Sequence, residues 1–591
     1  MSIDPITLEV MRSRLDEIVT TMERLLFHSG YSPILRESYD GSACILDSSG
    51  RVIVGSGMPI HIFPYYYTVQ AILQRHGDRM HPGDVFLLND PYVGGSLHVP
   101  DMAVVTPVYY QSQLIAFCAS IAHKPDLGGL VPGSSGAGAR EIFHEGILVP
   151  GVRYWTNDGV NPDVEEILRQ NSRAPKEVLG DLRAQVGCTR VGGRRLVELC
   201  DEYGIETILG SFDFLIERAG RLLKMELAKL PDAEQEAEGF LDSDGVDLDR
   251  PVRFHVLVSK RGEEIQFDYS RSDPQVKGPV NLRPQCSETA ALLALLGYLD
   301  PTIPINDGPR RAVCFVNPPG LVTSAQHPAP INNYFPTICL LYACVQLALS
   351  KFDPGRAVAP AGLGVGACSL GYERSRRGVR AVQYELTTSS LGGTTVADGA
   401  FGTIAIYHIT ASQPIEILET EYPVQVTRFE PVVDSAGAGK HRGGSGCVRE
   451  YRLLADAKFT LRMGGFQQGA WGVAGGSGPA RASCTLNPGT EREERLPPLA
   501  TRDLVPEDVV HLRLPGGGGY GSPIERDPHA VLEDVRNGIV SLAAARDVYG
   551  VVLDPTERNV DLVATDELRQ AMGRSAPAPR RFPTAHASRV T

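Results

Sequence analysis

Two histidines and an aspartate lie close together in a glycine-rich segment, residues 87–129, that also contains apolar runs. His98 and Asp101 are three residues apart, and His123 follows 22 residues after Asp101. Two imidazoles and a carboxylate can hold a divalent metal while one coordination position stays open, and an open position can activate a water molecule. A His/Asp pair without a defined signature is weak evidence, so ordinary polar loop residues are the alternative interpretation.

Two other short segments carry side chains that could take part in the same chemistry. Glu37 and Asp40, in RESYD, precede a predicted strand and could supply a further carboxylate. Glu37 could equally form a structural ion pair with Arg36. His144, in EIFHEG, is a candidate general base, because an imidazole can accept a proton near neutral pH.

The local sequence around the first segment predicts how the three residues are positioned. A strand cannot place residues three apart on one face, so His98 and Asp101 are predicted to lie in a turn, which the nearby glycines and proline favour. The apolar run 114–121 predicts a strand that delivers His123 at its end. Strand ends and loops are where a rigid scaffold can present ligands.

The rest of the chain reads as a mixture of helices and strands. Asp4 and Pro5 are good helix-start residues, and apolar residues recur at helical spacing up to Leu25, which predicts one helix over 4–28. Residues 231–245 are acidic and poor in apolar side chains, which predicts a linker or an exposed loop. Further helices are predicted over 164–170, 177–186, 194–230 and 287–299, and strands over 42–46, 52–55, 85–88, 102–110, 114–121 and within 251–270.

These patterns predict a multi-domain α+β chain that is β-rich, with a long N-terminal helix and a helical segment around 162–230. The predicted parts are an N-terminal metal-site domain (1–230), a middle α+β domain (231–420), a β-rich C-terminal domain (421–525), and short helices with a disordered tail (526–591).

Glycine clusters near residues 362–366, 434–446 and 516–521 raise the question of a phosphate-binding loop. No GxxxxGK[ST] motif is present, and no cluster has the strand–turn–helix context of a dinucleotide loop. Tight turns between strands are the favoured interpretation, and ATP is not expected to bind this chain. No convincing GxSxG motif is present, and Cys44 and Cys118 lie in apolar runs, which is typical of inert core thiols.

Composition excludes several functional classes. The formal net charge is −13 and no long basic block occurs, which argues against nucleic-acid binding. The eleven cysteines form no CxxC pair or regular framework, as expected for reduced thiols. The N-terminus carries no signal-peptide pattern and the apolar stretches are shorter than a membrane span, so a cytoplasmic protein without membrane association is expected.

Several segments, in order along residues 4–550, resemble the hydantoinase B family, which includes subunits of hydantoinases and lactam-opening enzymes, the C-terminal half of 5-oxoprolinase and a subunit of acetone carboxylase. The matching pieces are DPITLEV (4–10), RESYD (36–40), GD (83–84) with NDPY (89–92), GG (94–95) with His98 and Asp101, AH (122–123), DYS (268–270), DSAG (434–437), RGG (442–444) and GGGGYG (516–521).

The resemblance implies that His98, Asp101 and His123 match metal ligands of the acetone carboxylase relative, where the metal is manganese. It implies that Glu37 matches an acidic position, taken as the fourth ligand, and that Asp40 lies beside the site. The donor set suits Mn²⁺ or Zn²⁺ and does not by itself separate them from iron. The family also implies a hetero-oligomer with a hydantoinase A type subunit, which binds ATP with Mg²⁺ and phosphorylates the substrate.

The implied activity is ATP-dependent opening of a small cyclic amide or imide. The partner would phosphorylate the amide oxygen, the metal here would activate water, and Asp40 or His144 would move protons. A metal-containing subunit of an acetone- or acetophenone-type carboxylase is the alternative. A scaffold with a degenerate site is a third interpretation, which the intact His98, Asp101 and His123 argue against.

Overall fold

The protein is described from a computed structural model that covers residues 3–364, 366–376, 378–404, 406, 410–554 and 559–575. Within these residues the chain forms four β-sheets with helices packed against them. The predicted α+β class is therefore confirmed. The disordered tail was predicted for a segment that lies almost entirely outside the described residues.

The N-terminal region is built on an antiparallel seven-stranded sheet with the strand order β2-β1-β5-β4-β3-β6-β7. Its strands are β1 (Gly41–Asp47), β2 (Val52–Gly57), β3 (Val85–Leu88), β4 (Asp101–Tyr110), β5 (Gln113–His123), β6 (Pro150–Thr156) and β7 (Gly159–Val160). Its helices are α1 (Pro5–Ser29), α2 (Pro33–Arg36), α3 (Pro64–His76), α4 (Pro162–Asn171), α5 (Pro175–Tyr203) and α6 (Ile205–Leu227).

Helix α1 begins where the sequence predicts. The Asp4 side chain accepts hydrogen bonds from the backbone N–H groups of Ile6 and Thr7, and Pro5 occupies the first helical position. Its apolar face packs against α5 and against β1 and β2. The predicted helix over 194–230 is wrong in its extent, because Gly204 adopts a φ of +82° and separates α5 from α6.

A second, four-stranded sheet has the order β11-β10-β9-β8, with strands β8 (Ala233–Leu241), β9 (Val252–Arg261), β10 (Glu264–Asp268) and β11 (Val313–Val316). Helices α7 (Pro284–Leu299), α8 (Asp307–Ala312) and α9 (Tyr334–Ser350) accompany it. The predicted linker at 231–245 is wrong, because 233–241 forms β8 at the sheet edge. Its inner positions carry small or apolar residues such as Ala237 and Leu241, while glutamates face outward, so low hydrophobicity concealed the alternation.

The C-terminal body consists of two sheets that share one apolar core. Their orders are β13-β12-β16-β19 and β14-β15-β20-β17-β18. The strands are β12 (Gly366–Tyr372), β13 (Ala381–Thr387), β14 (Val424–Pro431), β15 (Cys447–Leu453), β16 (Ala457–Arg462), β17 (Ser483–Leu486), β18 (Glu494–Arg495), β19 (Leu499–Leu504) and β20 (Val509–Leu514), with helices α10 (Ile415–Glu421), α11 (Pro528–Arg536), α12 (Leu542–Asp547) and α13 (Leu562–Ser575).

The glycine clusters bring backbone segments of this body together. A Cβ on Gly443 would lie 1.9 Å from the Gly517 carbonyl oxygen, and a Cβ on Gly437 would lie 2.4 Å from the Gly519 nitrogen. The Gly437 N–H donates to the Gly517 oxygen at 2.8 Å, so the segments bond to each other. These glycines permit close backbone packing between loops, which is a broader role than the predicted tight turns.

No helix among the described residues is long and apolar enough to cross a membrane. All eleven cysteines are free thiols, and burial raises the pKa of Cys44 and Cys118, so neither thiol is a ready nucleophile.

Candidate functional site

The β4–β5 hairpin explains the 22-residue separation of Asp101 and His123. Asp101 is the first residue of β4, His123 is the last residue of β5, and the antiparallel register pairs them directly. Directly opposed residues on one face are neighbours, so the two side chains meet at the open end of the hairpin. The sequence prediction that a strand delivers His123 at its end is confirmed.

His98 and His61 approach this hairpin end from two loops. The Asp101 N–H donates to the His98 carbonyl oxygen at 3.2 Å, so His98 lies in the predicted turn. His61 ends a single helical turn, Pro59–His61. The two loops pack together at Gly95, where a Cβ would lie 1.8 Å from the Pro64 carbonyl oxygen, so only glycine permits the approach.

His61, His98, Asp101 and His123 form what we call the histidine–aspartate centre, and all four are at most 1% exposed. His98 Nε2 lies 3.2 Å from Asp101 Oδ1, and His61 Nε2 lies 3.7 Å from Asp101 Oδ2. The ring centroids of His98 and His123 are 5.1 Å apart. Three imidazoles therefore surround one carboxylate inside the protein.

Burial and mutual charge set the protonation of the centre. Burial lowers the pKa of His61 to about 4 and the pKa of His123 well below its ordinary value. Burial would raise the pKa of Asp101, but the neighbouring imidazoles, His98 first, outweigh it and lower this pKa to about 2. Neutral imidazoles beside an ionised carboxylate are the forms that ligate a metal.

Asn332, in the loop before α9, fixes the orientation of His98. The Asn332 Nδ2 donates to the Ser134 carbonyl oxygen at 2.8 Å, so its Oδ1 faces His98 Nδ1 at 2.6 Å and must accept that proton. The proton of a neutral His98 is then on Nδ1, and Nε2 turns a lone pair toward Asp101. Two acceptors 3.2 Å apart require a cation, either a proton or a metal.

Glu145 supports the same loop from the other side. Its Oε1 accepts the N–H groups of Ile331 and Asn332 at 2.7 and 2.8 Å, while its Oε2 has no partner. Burial outweighs these bonds and raises the pKa of Glu145 to about 8.

Two residues of the C-terminal body complete the wall. The Tyr384 ring, on β13, lies 4.3 Å from the His123 ring, and the Tyr384 hydroxyl accepts a hydrogen bond from Arg462 Nη2. Arg462 ends β16 and is 2% exposed. The site therefore lies between the N-terminal sheet and the C-terminal body.

Unpartnered polar atoms are concentrated at this site. Sixteen buried side-chain polar atoms among the described residues lack a hydrogen-bond partner, and seven belong to only six residues here: His61, His98, Asp101, His123, Glu145 and Arg462. Because an unsatisfied buried group costs about 1–3 kcal/mol, this concentration indicates a place where something binds.

The structure brings only some of the predicted residues into contact. Asp40 is buried, its backbone oxygen accepts the His123 N–H, and burial followed by the Asp101 charge raises its pKa well above the ordinary value. Glu37 instead pairs with Arg36 at 2.7 Å, the structural alternative that the sequence left open. Its assignment as the fourth ligand gains no support from these contacts, and His61 stands beside Asp101.

His144 also faces away from the predicted role. Its Nδ1 accepts the Arg140 N–H at 3.1 Å, whereas its neighbour Glu145 reaches inside. Sequence reasoning missed His61, Glu145, Asn332, Tyr384 and Arg462. A single polar residue in the apolar run PIHIFP was the one available signal for His61.

The donors suit a divalent cation, although no three such side chains within the described ranges already stand in the arrangement of a metal site. The fit rests on donor chemistry: the Nε2 atoms of His61, His98 and His123 and Asp101 Oδ2 are buried without partners.

Comparison with known proteins agrees with this arrangement. The sequence profile of the Hydantoinase B/oxoprolinase family matches residues 4–523. A protein provisionally named as the B component of a D-/L-hydantoinase from Pseudomonas sp. (strain NS671) is 32% identical over 96% of this chain and 98% of its own length. The acetophenone carboxylase delta subunit of Aromatoleum aromaticum (strain DSM 19018 / LMG 30748 / EbN1) is 26% identical over 90% of this chain and 84% of its own.

Among solved structures, the ATP-dependent caprolactamase from Pseudomonas jessenii superposes with a TM-score of 0.90 at 30% identity, covering 96% of this chain and 100% of that one. The chain belongs to the hydantoinase B/oxoprolinase family.

Proposed function

We propose that this chain is the metal-containing subunit of an ATP-dependent cyclic amide or imide hydrolase, which opens a ring that a partner subunit has activated by phosphorylation. The observation that carries the proposal is the set of three buried imidazoles around Asp101, with His98 Nε2 and Asp101 Oδ1 facing each other at 3.2 Å. Similarity to a hydantoinase subunit and to an ATP-dependent caprolactamase supports the reaction class.

His61, His98, Asp101 and His123 would hold the divalent metal, with Mn²⁺ or Zn²⁺ as the expected ions. A bound divalent cation supplies Lewis-acid activation of water at neutral pH. Asn332 keeps the His98 proton on Nδ1, so that Nε2 stays available as a donor. Asp40, whose pKa is raised, is a strong enough base to take a proton from the attacking water.

The reaction is divided between the two subunits. In the partner, ATP transfers its terminal phosphoryl group to the amide oxygen of the ring and leaves as ADP. Water adds to the activated carbon, the C–N bond breaks, and the ring nitrogen takes up a proton. A second water cleaves the resulting acyl phosphate, which yields the open-chain carboxylate and inorganic phosphate. Unstrained amides resist direct hydrolysis, which explains why ATP is coupled to the opening.

The experiment combines the purified chain with its ATP-binding partner and supplies hydantoin, 5-oxoproline or caprolactam, with ADP and ring-opened product both measured. We expect one cyclic amide to give product and ADP together. A carboxylase is the second candidate, because of the similarity to an acetophenone carboxylase subunit. Turnover only with acetone and bicarbonate would refute the hydrolase and support that candidate.

A further inference from the structure

Arg462 is a buried cation without a carboxylate partner. Its Nη2 donates to the Tyr384 hydroxyl, its Nη1 donates to the Asn332 carbonyl oxygen at a long 3.4 Å, and its Nε has no partner. Across the residues that the structure covers, no carboxylate oxygen lies within 4.0 Å of the guanidinium. Because an uncompensated buried charge is costly, this environment favours binding of an anion.

A comparison with Arg449 shows that the missing partner is specific to Arg462. Arg449 is equally buried, and its Nη2 donates to Glu385 at 2.7 Å. Glu145 lies near Arg462, but its bonded oxygen faces the N–H groups of Ile331 and Asn332.

Arg462 lies beside the histidine–aspartate centre. The Asn332 that it contacts also holds His98, and the Tyr384 that it contacts stacks near His123, at 4.3 Å between ring centroids. The Tyr384 hydroxyl accepts from Arg462, and no acceptor for its own proton occurs in the described part of the chain. One guanidinium edge and one phenol proton are therefore available at the same wall.

We propose that Arg462 and the Tyr384 hydroxyl bind the phosphate group of the activated substrate and thereby admit only phosphorylated rings to the centre. The guanidinium matches phosphate oxygens in charge and in the geometry of its N–H groups, which an ammonium does not. This proposal rests on the proposed function, because the phosphate originates in the partner's reaction.

The first test measures inorganic phosphate binding to the full chain by calorimetry, in both metal-reconstituted and chelator-treated protein. We expect Arg462→Gln to weaken binding by at least about tenfold, because a hydrogen bond to a charged group contributes about 1.5–3 kcal/mol. Arg462→Lys and Tyr384→Phe should each weaken it by about threefold to tenfold. Arg452→Gln, a control on β15 where the side chain bonds Gln425, should bind phosphate like the wild type.

Metal content and thermal unfolding are measured on every variant, and Arg462→Lys serves if Arg462→Gln does not fold. Equal phosphate affinity in wild type and a folded Arg462 variant, in both preparations, overturns the proposal. This readout needs no turnover, so it is separate from the fate of the proposed function. A complex that opens no ring while Arg462 still governs phosphate binding would refute the hydrolase and leave the anion site standing.

Discussion

Two buried polar clusters on neighbouring faces of β13 differ in how their charges are compensated. Glu385 faces the C-terminal core, where Arg449 Nη2 donates to one of its oxygens and the Tyr451 hydroxyl donates to the other. The adjacent residue, Tyr384, faces the histidine–aspartate centre, where the imidazoles and Asp101 leave polar atoms without partners. The first cluster balances its own charge and stabilises a core, while the second requires an additional group.

Burial and charge alone therefore do not identify a functional site. Both clusters contain ionisable groups that are at most 3% exposed. What distinguishes the centre is unfilled donor and acceptor capacity directed at one point, because such groups are normally satisfied within the protein.

The largest effect expected from breaking the centre is on activity and metal content. His98→Ala combined with His123→Ala should leave the chain without stoichiometric metal and reduce ring opening by about 1,000-fold or more, because the activated water is lost. Metal analysis and a product assay in the complex measure this. Full metal retention would remove both residues from the ligand set.

Breaking the other cluster should affect stability and leave the metal in place. Arg449→Met leaves Glu385 buried without its cation, so we expect about 3–5 kcal/mol less stability for the C-terminal body. Denaturant unfolding monitored alongside metal content measures this. Glu385→Gln together with Arg449→Met should recover part of the loss, and no recovery would contradict the description of this pair as mutually compensating.

A third variant pair sharpens the membership of the centre. His61→Ala should weaken metal binding by about 10–100-fold, because His61 Nε2 faces Asp101. Glu37→Ala should change it less than about twofold, because Glu37 is engaged by Arg36. Competition with a metal-sensitive chelator measures both, and the reverse order would restore Glu37 as the fourth ligand.

The smallest effect concerns pH and Glu145. Its folded pKa of about 8 exceeds its ordinary value, so between these values the folded chain binds a proton that the unfolded chain releases. Stability should therefore fall as pH rises from about 5 to about 8, by up to about 1.4 kcal/mol per pH unit from this group. Glu145→Gln should flatten that slope in unfolding midpoints, whereas Glu141→Gln, an exposed neighbour, should not. An unchanged slope in Glu145→Gln would show that this carboxyl is ionised when folded.

Local signals predicted the elements that nearby residues control. The start of α1 follows from Asp4 and Pro5, and the β4–β5 hairpin follows from apolar runs, so the meeting of Asp101 and His123 could be anticipated. The edge strand β8 could not, since its solvent face is acidic and its inner face carries small residues.

The order of residues was enough to predict helix α1, the hairpin that joins Asp101 to His123, and the family resemblance, because capping, periodicity and ordered motifs act over short distances. The folded chain was needed to show that His61 joins the centre, that Asn332 sets the His98 proton, and that Arg462 approaches from the C-terminal body. Asn332 is 234 residues from His98, and no local pattern encodes a contact at that separation. Such contacts are fixed by the packing of whole sheets against one another.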